Sequence, residues 1–368
     1  MKKIVYFPSE NENSNHTSVE ALFNKYLKKF FLIQIVYSGE KTKKLSDGNL
    51  VIKKSKRYNF INELKDLAFD SPNFYIVRND FNVLKNIINN NKNSQIGFQS
   101  TFLHSYRRLV QAHIEKKKLL RKYIEYMFKS KEETKLIEKC DFLIPNSKMM
   151  NKVINQSNKP YTYIYSSFDF ELSSDVLNKK SDDNKVRFLY IGTVDKLREI
   201  DKIFEAFSNV KSQNWILDVY TKNFDEATTY KSKMKKNENL VNIYNSLDRK
   251  TLYKTMAGYD VGISLIPIND LYTVASPIKL SEYFACKLAV ITTAIPEAVD
   301  LYADTNSAFF VHFDTVSISK TINNILQMDK EELNRMGLNG FNIVKQKRNY
   351  KTNAKYIVSF LNSLKKNK

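Results

Sequence analysis

Two short apolar runs and the segment between them constrain the fold more than any other part of the chain. The runs, Val261 to Leu265 and Leu288 to Thr292, have the length of buried strands. Between them, Ser276 is a preferred N-cap residue and Pro277 suits the first helical position. A strand, loop, helix, strand order is typical of α/β folds, in which ligands bind at the carboxyl ends of the strands.

The predicted helix start has the chemistry of a phosphate site. The first amides of the helix, those after Ser276, are expected to point outward without partners, and the helix dipole favours an anion there. Lys279 adds an ammonium group, and Glu282, on the same face, could accept hydrogen bonds from both hydroxyls of a ribose. The alternative is that Glu282 only complements the helix dipole and that Lys279 is solvated.

These residues resemble the C-terminal domain of GT-B glycosyltransferases, in particular glycosyltransferase family 4 and its bacterial polysaccharide members. The resemblance rests on Tyr259 to Leu265 and Ser276 to Ile291, and it extends upstream to Phe188 to Thr193 and Cys140 to Ser147. It implies an α/β chain of the GT-B class, with two Rossmann-like domains facing an interdomain cleft. It also implies a nucleotide-sugar donor as co-substrate, a UDP-sugar by preference, and no further cofactor.

The loop after the strand that begins near Val186 carries the second part of the implied donor site. Arg198 falls where the family usually has a pyrophosphate-binding lysine, and Thr193 falls where an arginine is frequent. Gly192 permits close approach of the backbone to a ligand. The alternative is an ordinary turn between a strand and a helix, with a solvated arginine.

The chain also departs from the family pattern. Many members carry two glutamates separated by seven residues, and Val274 stands where the first would precede Glu282. Sugar contacts would then come from the backbone or from other side chains. His104 follows a predicted strand at a place where members often have a sugar-contacting histidine. A structural histidine is the alternative there.

The predicted elements divide the chain into two α/β halves. The predicted strands are Lys3 to Phe7, Leu32 to Tyr37, Phe74 to Val77, Gln95 to Phe98, Phe142 to Ile144, Val186 onward, Trp215 to Tyr220, Val261 to Leu265, Leu288 to Thr292 and Ser307 to Val311. We predict an N-terminal acceptor-binding domain over 1–168, a linker over 169–185, a nucleotide-sugar-binding domain over 186–348, and a final helix over 349–368. By analogy with GT-B proteins, that helix crosses back to the first domain, with Tyr356, Ile357, Phe360, Leu361 and Leu364 as its apolar stripe.

The charge of the chain indicates an anionic partner. The 59 basic and 39 acidic side chains give a net charge of +20. The segment from Tyr106 to Lys135 combines basic residues with apolar residues at helical spacing, as one amphipathic helix or two. Docking on an anionic membrane surface and an ordinary packed helix with a solvated lysine face both fit this pattern. Nucleic acid is not expected, because no zinc, helix-turn-helix or RNA-motif signature occurs.

The reaction implied by the resemblance is a sugar transfer that retains the anomeric configuration. Cations aimed at the departing diphosphate usually contribute most to lowering such a barrier, which assigns Arg198 and Lys279 to catalysis, with His104 on the acceptor side. No Asp-x-Asp pair occurs, so we expect a reaction that does not depend on a metal. Glu282, Gly192 and the residues Ser276 to Ile278 are the expected donor contacts.

The sequence therefore predicts a hexosyltransferase that adds to a glycan or lipid-linked acceptor during synthesis of a capsule or other bacterial surface glycan. Cys140 and Cys286 have neither metal nor disulfide spacing, and no apolar run approaches about 18 residues, so we expect a cytoplasmic protein, with the inner membrane face as a peripheral site. One alternative is a catalytically silent relative that binds a nucleotide or glycan within a larger assembly. A basic nucleic-acid binder is the weakest alternative.

Overall fold

A computed structural model describes residues 1–13, 16–53, 71–91, 93–116, 119–172 and 184–365. The chain divides into two units. The first comprises Met1–Ser166, Val274–Ser276 and Tyr350–Lys368, and the second comprises Ser167–Thr273 and Pro277–Asn349. Most of the predicted linker, residues 173–183, lies outside the described residues.

The first unit is built on a seven-stranded sheet with the order β3-β4-β2-β1-β5-β6-β7. All neighbouring strands are parallel except β3 and β4, which pair antiparallel. Parallel strands covered on both faces need continuous apolar runs, and most residues of β1, β2 and β7 are buried. The strands are β1 (Lys3–Phe7), β2 (Leu32–Gly39), β3 (Lys43–Lys44), β4 (Leu50–Lys53), β5 (Phe74–Arg78), β6 (Gln95–Ser100) and β7 (Phe142–Pro145).

Six helices belong to the described part of the first unit. The first has π-helical hydrogen bonding, and the last packs against it, with Ile357 and Leu361 buried in the core cluster. Tyr356, which we had predicted to belong to the apolar stripe of that helix, is instead 67% exposed, because it lies on the opposite face. The helices are α1 (Ser18–Tyr26), α2 (Phe81–Asn90), α3 (His104–Ile114), α4 (Leu119–Glu138), α5 (Lys148–Ile154) and α14 (Tyr350–Ser363).

The second unit is built on six parallel strands with the order β10-β9-β8-β11-β12-β13. The strands are β8 (Val186–Ile191), β9 (Trp215–Thr221), β10 (Val241–Asn245), β11 (Val261–Ser264), β12 (Ala289–Thr293) and β13 (Ala308–Val311). The helices are α6 (Asp201–Ser208), α7 (Phe224–Ser232), α8 (Arg249–Met256), α9 (Asp270–Thr273), α10 (Ile278–Ala285), α11 (Pro296–Tyr302), α12 (Thr315–Ile325) and α13 (Lys330–Lys347). Two buried hydrophobic clusters form its core, one of them around the fully buried Trp215.

The predicted strands agree with the observed ones to within about two residues at each end, and the predicted α/β class of two parallel-sheet domains is confirmed. The short strands β3, β4 and β10 were not predicted. In β10, only Val241 is buried, so the apolar signal that marks the other strands is weak. Of the two alternatives for Tyr106 to Lys135, the structure has two helices, α3 and α4.

Among the described residues, no helix is both long and apolar enough to cross a membrane. Cys140 and Cys286 are both buried and unbridged. The pKa of the Cys286 thiol lies well above its usual range because of burial and the nearby Glu282 carboxylate. Neither thiol is therefore in the electropositive, accessible setting of a reactive cysteine.

Candidate functional site

The end of β8 and the start of α10 lie close together in the second unit, and two glycines make this possible. Gly192 has a φ of +127°, and a Cβ atom there would lie 2.9 Å from Cε of Lys279. At Gly262, in β11, a Cβ atom would lie 2.4 Å from the ring of Tyr283. The Tyr283 hydroxyl in turn accepts a hydrogen bond of 2.9 Å from the Ile191 amide. The helix is thus fixed directly against two central strands, at the end of β8 and within β11.

Lys279 occupies the position that Gly192 leaves open. Its Nζ lies 3.9 Å from the centroid of the Tyr190 ring, and it is buried without a hydrogen-bond partner. Burial, followed by the charge of Arg198, lowers the pKa of Lys279 to about 7, while Glu282 and Asp195 oppose the shift. An ammonium group over an aromatic face, with no acceptor, has the chemistry to bind an anion.

Arg198 ends a short 3₁₀ turn, Lys196–Arg198, that follows β8. The Asp195 side chain accepts a hydrogen bond of 2.9 Å from the Arg198 amide and pairs with its guanidinium. The Arg198 side chain is 25% exposed, so it is open to a further partner. The loop before it is held by Tyr190, whose hydroxyl donates to the Thr193 carbonyl at 2.7 Å.

Glu282 lies one turn into α10 and is only 7% exposed. The Tyr253 hydroxyl donates to its Oε1 at 3.1 Å, and Nη1 of Arg249 lies 3.5 Å from the same oxygen. Burial raises the pKa of Glu282, while Arg249, Tyr253 and Lys279 oppose the shift. Sequence reasoning missed Arg249 and Tyr253, although their spacing of four residues on α8 places them on one helix face.

The predicted cap of α10 needs a correction. The helix begins at Ile278, its N-cap is Pro277, and no side chain caps it. The Ser276 hydroxyl instead accepts a hydrogen bond from the Ser166 amide at 3.1 Å, and the Ser276 carbonyl accepts one from the Ser166 hydroxyl at 2.6 Å. Ser276 thereby belongs to the first unit, whereas Pro277 and Ile278 belong to the second.

Val274, at the position of the missing family glutamate, is 2% exposed, and its carbonyl accepts a hydrogen bond of 2.7 Å from the Ser147 hydroxyl. An apolar, buried side chain at this position has no group that could bind a sugar hydroxyl.

His104 is the first residue of α3, in the first unit. Its ring stacks on Phe102 at 5.6 Å, lies edge-on to Phe81 at 6.0 Å, and has Nδ1 3.8 Å from a Glu133 oxygen. The side chain is 28% exposed. These contacts orient the ring and leave part of its edge accessible.

A second polar cluster, at the carboxyl ends of β1 and β5 in the first unit, was missed by sequence reasoning. Arg78 is 5% exposed and pairs with the Glu10 carboxylate, and its Nη2 lies 3.0 Å from Nε2 of His16. The His16 Nδ1 lies 2.9 Å from the Ser18 hydroxyl. The members are up to 68 positions apart in the chain, so no short sequence motif could identify them.

The described residues contain no group of three or more His, Cys, Asp and Glu side chains placed to hold a metal ion. In the second unit, the charged groups instead suit an organic anion. Lys279, Arg198 and the first amides of α10 can neutralise phosphate oxygens. Glu282, one turn deeper, can accept hydrogen bonds from hydroxyl groups attached to that phosphate.

Comparison with known proteins gives a family match within the second half of the chain. Residues 173–343 match the family model described as "Glycosyl transferases group 1". A sequence search of curated proteins gives no significant match.

Similar solved structures include a sucrose-phosphate synthase from Thermosynechococcus elongatus, with a TM-score of 0.71, 12% identity, and coverage of 98% of each chain. A UDP-forming trehalose-phosphate synthase from Burkholderia xenovorans has a TM-score of 0.68 and 10% identity, with coverage of 99% of each chain. Anabaena HepE in complex with UDP and glucose has a TM-score of 0.70 and 12% identity, with coverage of 99% of this chain and 100% of that one. At such identities the likeness concerns the fold. The family model concerns residues 173–343, which include every predicted donor-site residue. Residues 173–343 thus match the group 1 glycosyl transferases, and the chain has the fold of GT-B glycosyltransferases.

Proposed function

We propose that the protein transfers a hexose from a UDP-sugar to a glycan or lipid-linked acceptor, with retention of the anomeric configuration, in the synthesis of a bacterial surface glycan. The choice of UDP is supported by similar structures: two are complexes with UDP and glucose or with UDP-2-fluoro glucose, and a third is of a UDP-forming synthase. The surface-glycan role is supported by the resemblance of Ser276 to Ile291 to bacterial polysaccharide enzymes.

The observation that carries the proposal is the buried, unpartnered Nζ of Lys279. Leaving a buried polar group without a partner costs about 1–3 kcal/mol, and a bound phosphate oxygen would offset this cost at Lys279. In the proposed complex the donor diphosphate contacts Lys279, Arg198 and the α10 amides, and the backbone of Gly192 and Thr193 passes beside it. Glu282 binds the ribose hydroxyls.

In the proposed reaction, the sugar–oxygen bond breaks and negative charge grows on the departing diphosphate. Lys279 and Arg198 stabilise that charge from fixed positions, which is the largest contribution that such groups usually make. These cations take the role that a divalent ion has in metal-dependent transferases, so we propose a metal-independent reaction without a further cofactor. We assign no protein nucleophile.

The acceptor is proposed to bind to the first unit, with His104 as a contact to a sugar hydroxyl. The partly exposed ring of His104 is already oriented by Phe102 and Glu133. The cytoplasm is the proposed location, in keeping with two buried, unbridged cysteines.

A nucleotide-sugar screen tests the function directly. Purified protein should release UDP from one UDP-sugar when a suitable glycan or lipid-linked acceptor is present. Glu282→Gln keeps a hydrogen-bond acceptor for Tyr253 but lacks the carboxylate, so it should weaken UDP binding by about tenfold in calorimetry, given about 1.4 kcal/mol for a charged hydrogen bond. Because burial raises the pKa of Glu282, the neutral glutamine should not lower the stability of the free protein.

Arg198→Ala should weaken UDP binding by a similar factor, whereas Arg335→Ala, at a side chain that is 65% exposed on α13, should leave it unchanged. Unaltered UDP affinity in both Glu282→Gln and Arg198→Ala would remove the proposed donor site.

A catalytically silent nucleotide or glycan binder is the second candidate, and the buried Val274 favours it, because the first of the two family glutamates is absent. Such a protein would bind UDP through Lys279 and Glu282 but would release no UDP from any nucleotide sugar with any acceptor. Calorimetry and the release screen together distinguish the two functions.

A further inference from the structure

The first half of α4 presents large apolar side chains to solvent. Six of the 19 exposed large hydrophobic side chains among the described residues lie within residues 119–128. The two most exposed are Leu120, at 76%, and Phe128, at 73%. The others are Leu119 (42%), Tyr123 (54%), Ile124 (49%) and Met127 (40%). Single exposed apolar residues are ordinary, whereas such a concentration marks an interaction surface.

Five of these residues, from Leu120 to Phe128, follow the spacing i, i+3, i+4, i+7, i+8, which places them on one face of the helix. The neighbouring helix α3 covers a different side, since Tyr126 meets the ring of Tyr106 at 6.0 Å. We call this exposed face of Leu120, Tyr123, Ile124, Met127 and Phe128 the α4 apolar face.

Basic residues are close to the α4 apolar face in the sequence. Residues 116–124 contain five lysines and arginines and no acidic residue. Of these, Lys116 and Arg121 are exposed, and Lys117 and Lys118 lie outside the described residues. Acidic residues adjoin this stretch on both sides: Glu115 accepts a hydrogen bond of 3.0 Å from the Gln111 amide, and Glu125 pairs with Lys122 at 2.8 Å.

One turn further along the helix, Glu132 pairs with Lys85 at 2.7 Å and with Lys129 at 3.7 Å. Glu125 thus neutralises Lys122, and the exposed Lys116 and Arg121 are the described cations that supply positive charge at the start of α4.

We propose that the α4 apolar face and its basic border dock the protein on an anionic lipid bilayer. An amphipathic helix with an apolar face and lysine and arginine on its flanks is suited to lie in the interface plane, with the apolar side chains at the acyl boundary and the cations at the headgroups. Charge complementarity favours an anionic bilayer over a second copy of the chain. A second copy seated face to face would bring the exposed Arg121 and Lys116 of each copy toward those of the other, which like charges oppose.

This surface lies in the first unit, and the proposal goes beyond the donor chemistry of the second. It explains why exposed apolar side chains are retained at the start of α4, and it brings the protein to where a lipid-linked acceptor would be. The proposal holds whether or not the sugar transfer occurs, because it concerns only how the full chain attaches to lipid.

Vesicle flotation of the full chain tests the proposal. We expect binding to phosphatidylcholine vesicles that contain phosphatidylglycerol, reversal by salt, and little binding to phosphatidylcholine alone. Leu120→Ser with Phe128→Ser should lower the partition coefficient by about tenfold or more. Arg121→Glu should lower it about fivefold or more, from about 1 kcal/mol per cation near the surface.

The matched control is Val316→Ser with Lys320→Glu on α12, where Val316 is 77% exposed and Lys320 is also exposed. This variant should float like the unmodified protein. UDP affinity should remain unchanged in all of the variants, which separates a failure of docking from a failure of the donor site.

A fluorescent variant reports insertion directly. Trp215 is the only tryptophan of the chain and is fully buried, so its emission should not respond to vesicles. Tyr123→Trp should show a blue shift on anionic vesicles, and Val316→Trp should not.

Three results would overturn the proposal. They are no flotation with anionic vesicles at low salt, flotation that Leu120→Ser with Phe128→Ser leaves unaltered, or a dimer in sedimentation that this double variant dissociates. The last result would assign the α4 apolar face to a second copy of the chain.

Discussion

The carboxyl ends of the strands carry buried charges in both units, but the charges are satisfied differently. In the first unit, Arg78 is paired with Glu10 and bonded to His16. In the second, Lys279 has no hydrogen-bond acceptor, and burial raises the pKa of Glu282 and lowers that of Lys279.

In the first cluster, Arg78 has a carboxylate as its charged partner in the free protein, although its Nε and Oε2 of Glu10 lack a hydrogen-bond partner. In the second, the Lys279 ammonium has no acceptor, and we propose that a ligand supplies one. Charges that stabilise a fold are expected to find partners within it, and charges kept for a ligand are not. Substitutions in the two clusters should therefore have opposite signatures.

Replacing Arg78 should damage stability and spare donor binding. Arg78→Met leaves the Glu10 carboxylate partly buried without its cation, which should lower the free energy of unfolding by about 3 kcal/mol. Chemical denaturation measures this change, and UDP calorimetry on the folded variant should give an unaltered affinity. Unchanged stability would remove the contrast between the two clusters.

Replacing Lys279 should weaken donor binding and spare stability. Lys279→Met keeps the length of the side chain without its charge and should weaken UDP binding by about 30-fold or more, from about 2 kcal/mol for charged hydrogen bonds. Lys345→Met, on an exposed position of α13, is the control and should bind UDP normally.

The free Lys279→Met protein should be at least as stable as the unmodified one. The folded-state pKa of about 7 lies below the ordinary 10.5, so the unfolded chain binds more protons between these values and stability rises with pH across that window. Below pH 7, Lys279 is protonated in the folded protein, so burial of the ammonium there lowers the free energy of unfolding by its full amount. Lys279→Met removes this cost and should raise the free energy of unfolding by about 1 kcal/mol, most clearly below pH 7. A large loss of stability at pH 6 would contradict the account.

A pair of glycine variants separates backbone strain from displacement of the lysine. Gly192→Ala and Gly48→Ala both place a side chain at positive φ, +127° and +83°, and each should lower stability by about 1–2 kcal/mol. Only at Gly192 does the new methyl group meet Lys279, since nothing lies within 4 Å at Gly48. Gly192→Ala should therefore also weaken UDP binding, and equal UDP affinities in the two variants would show that Lys279 tolerates the intrusion.

Much of the second unit could be predicted from sequence because its strands and its donor-site residues are each marked by a short, continuous stretch of the chain. Strands such as Ala289–Thr293 are continuous apolar runs, and the residues around Lys279 and Glu282 form one short motif. The contact of Lys279 with Tyr190 and Gly192 could not be predicted in detail, since it depends on how α10 packs against β8.

Other features were out of reach for different physical reasons. The Arg78 cluster joins residues far apart in the chain. Periodicity on α4 identified one apolar face, but the same spacing serves a packed core and an exposed surface, so only the structure could show that Leu120 and Phe128 face solvent. The N-cap of α10 was misplaced by one residue because Ser276 bonds to Ser166 instead of to its own helix.

Proton uptake on UDP binding tests the central claim most directly. At pH 8, above the pKa of about 7, Lys279 is mostly neutral in the free protein, and a bound diphosphate should raise its pKa and draw a proton onto Nζ. Calorimetry in buffers of different ionisation enthalpy should find uptake of most of one proton, with a UDP affinity that falls as pH rises above 7. Lys279→Met should bind UDP weakly and without uptake. Uptake of the same size in both proteins, or none in the unmodified one, would contradict the assignment of Lys279 to the diphosphate.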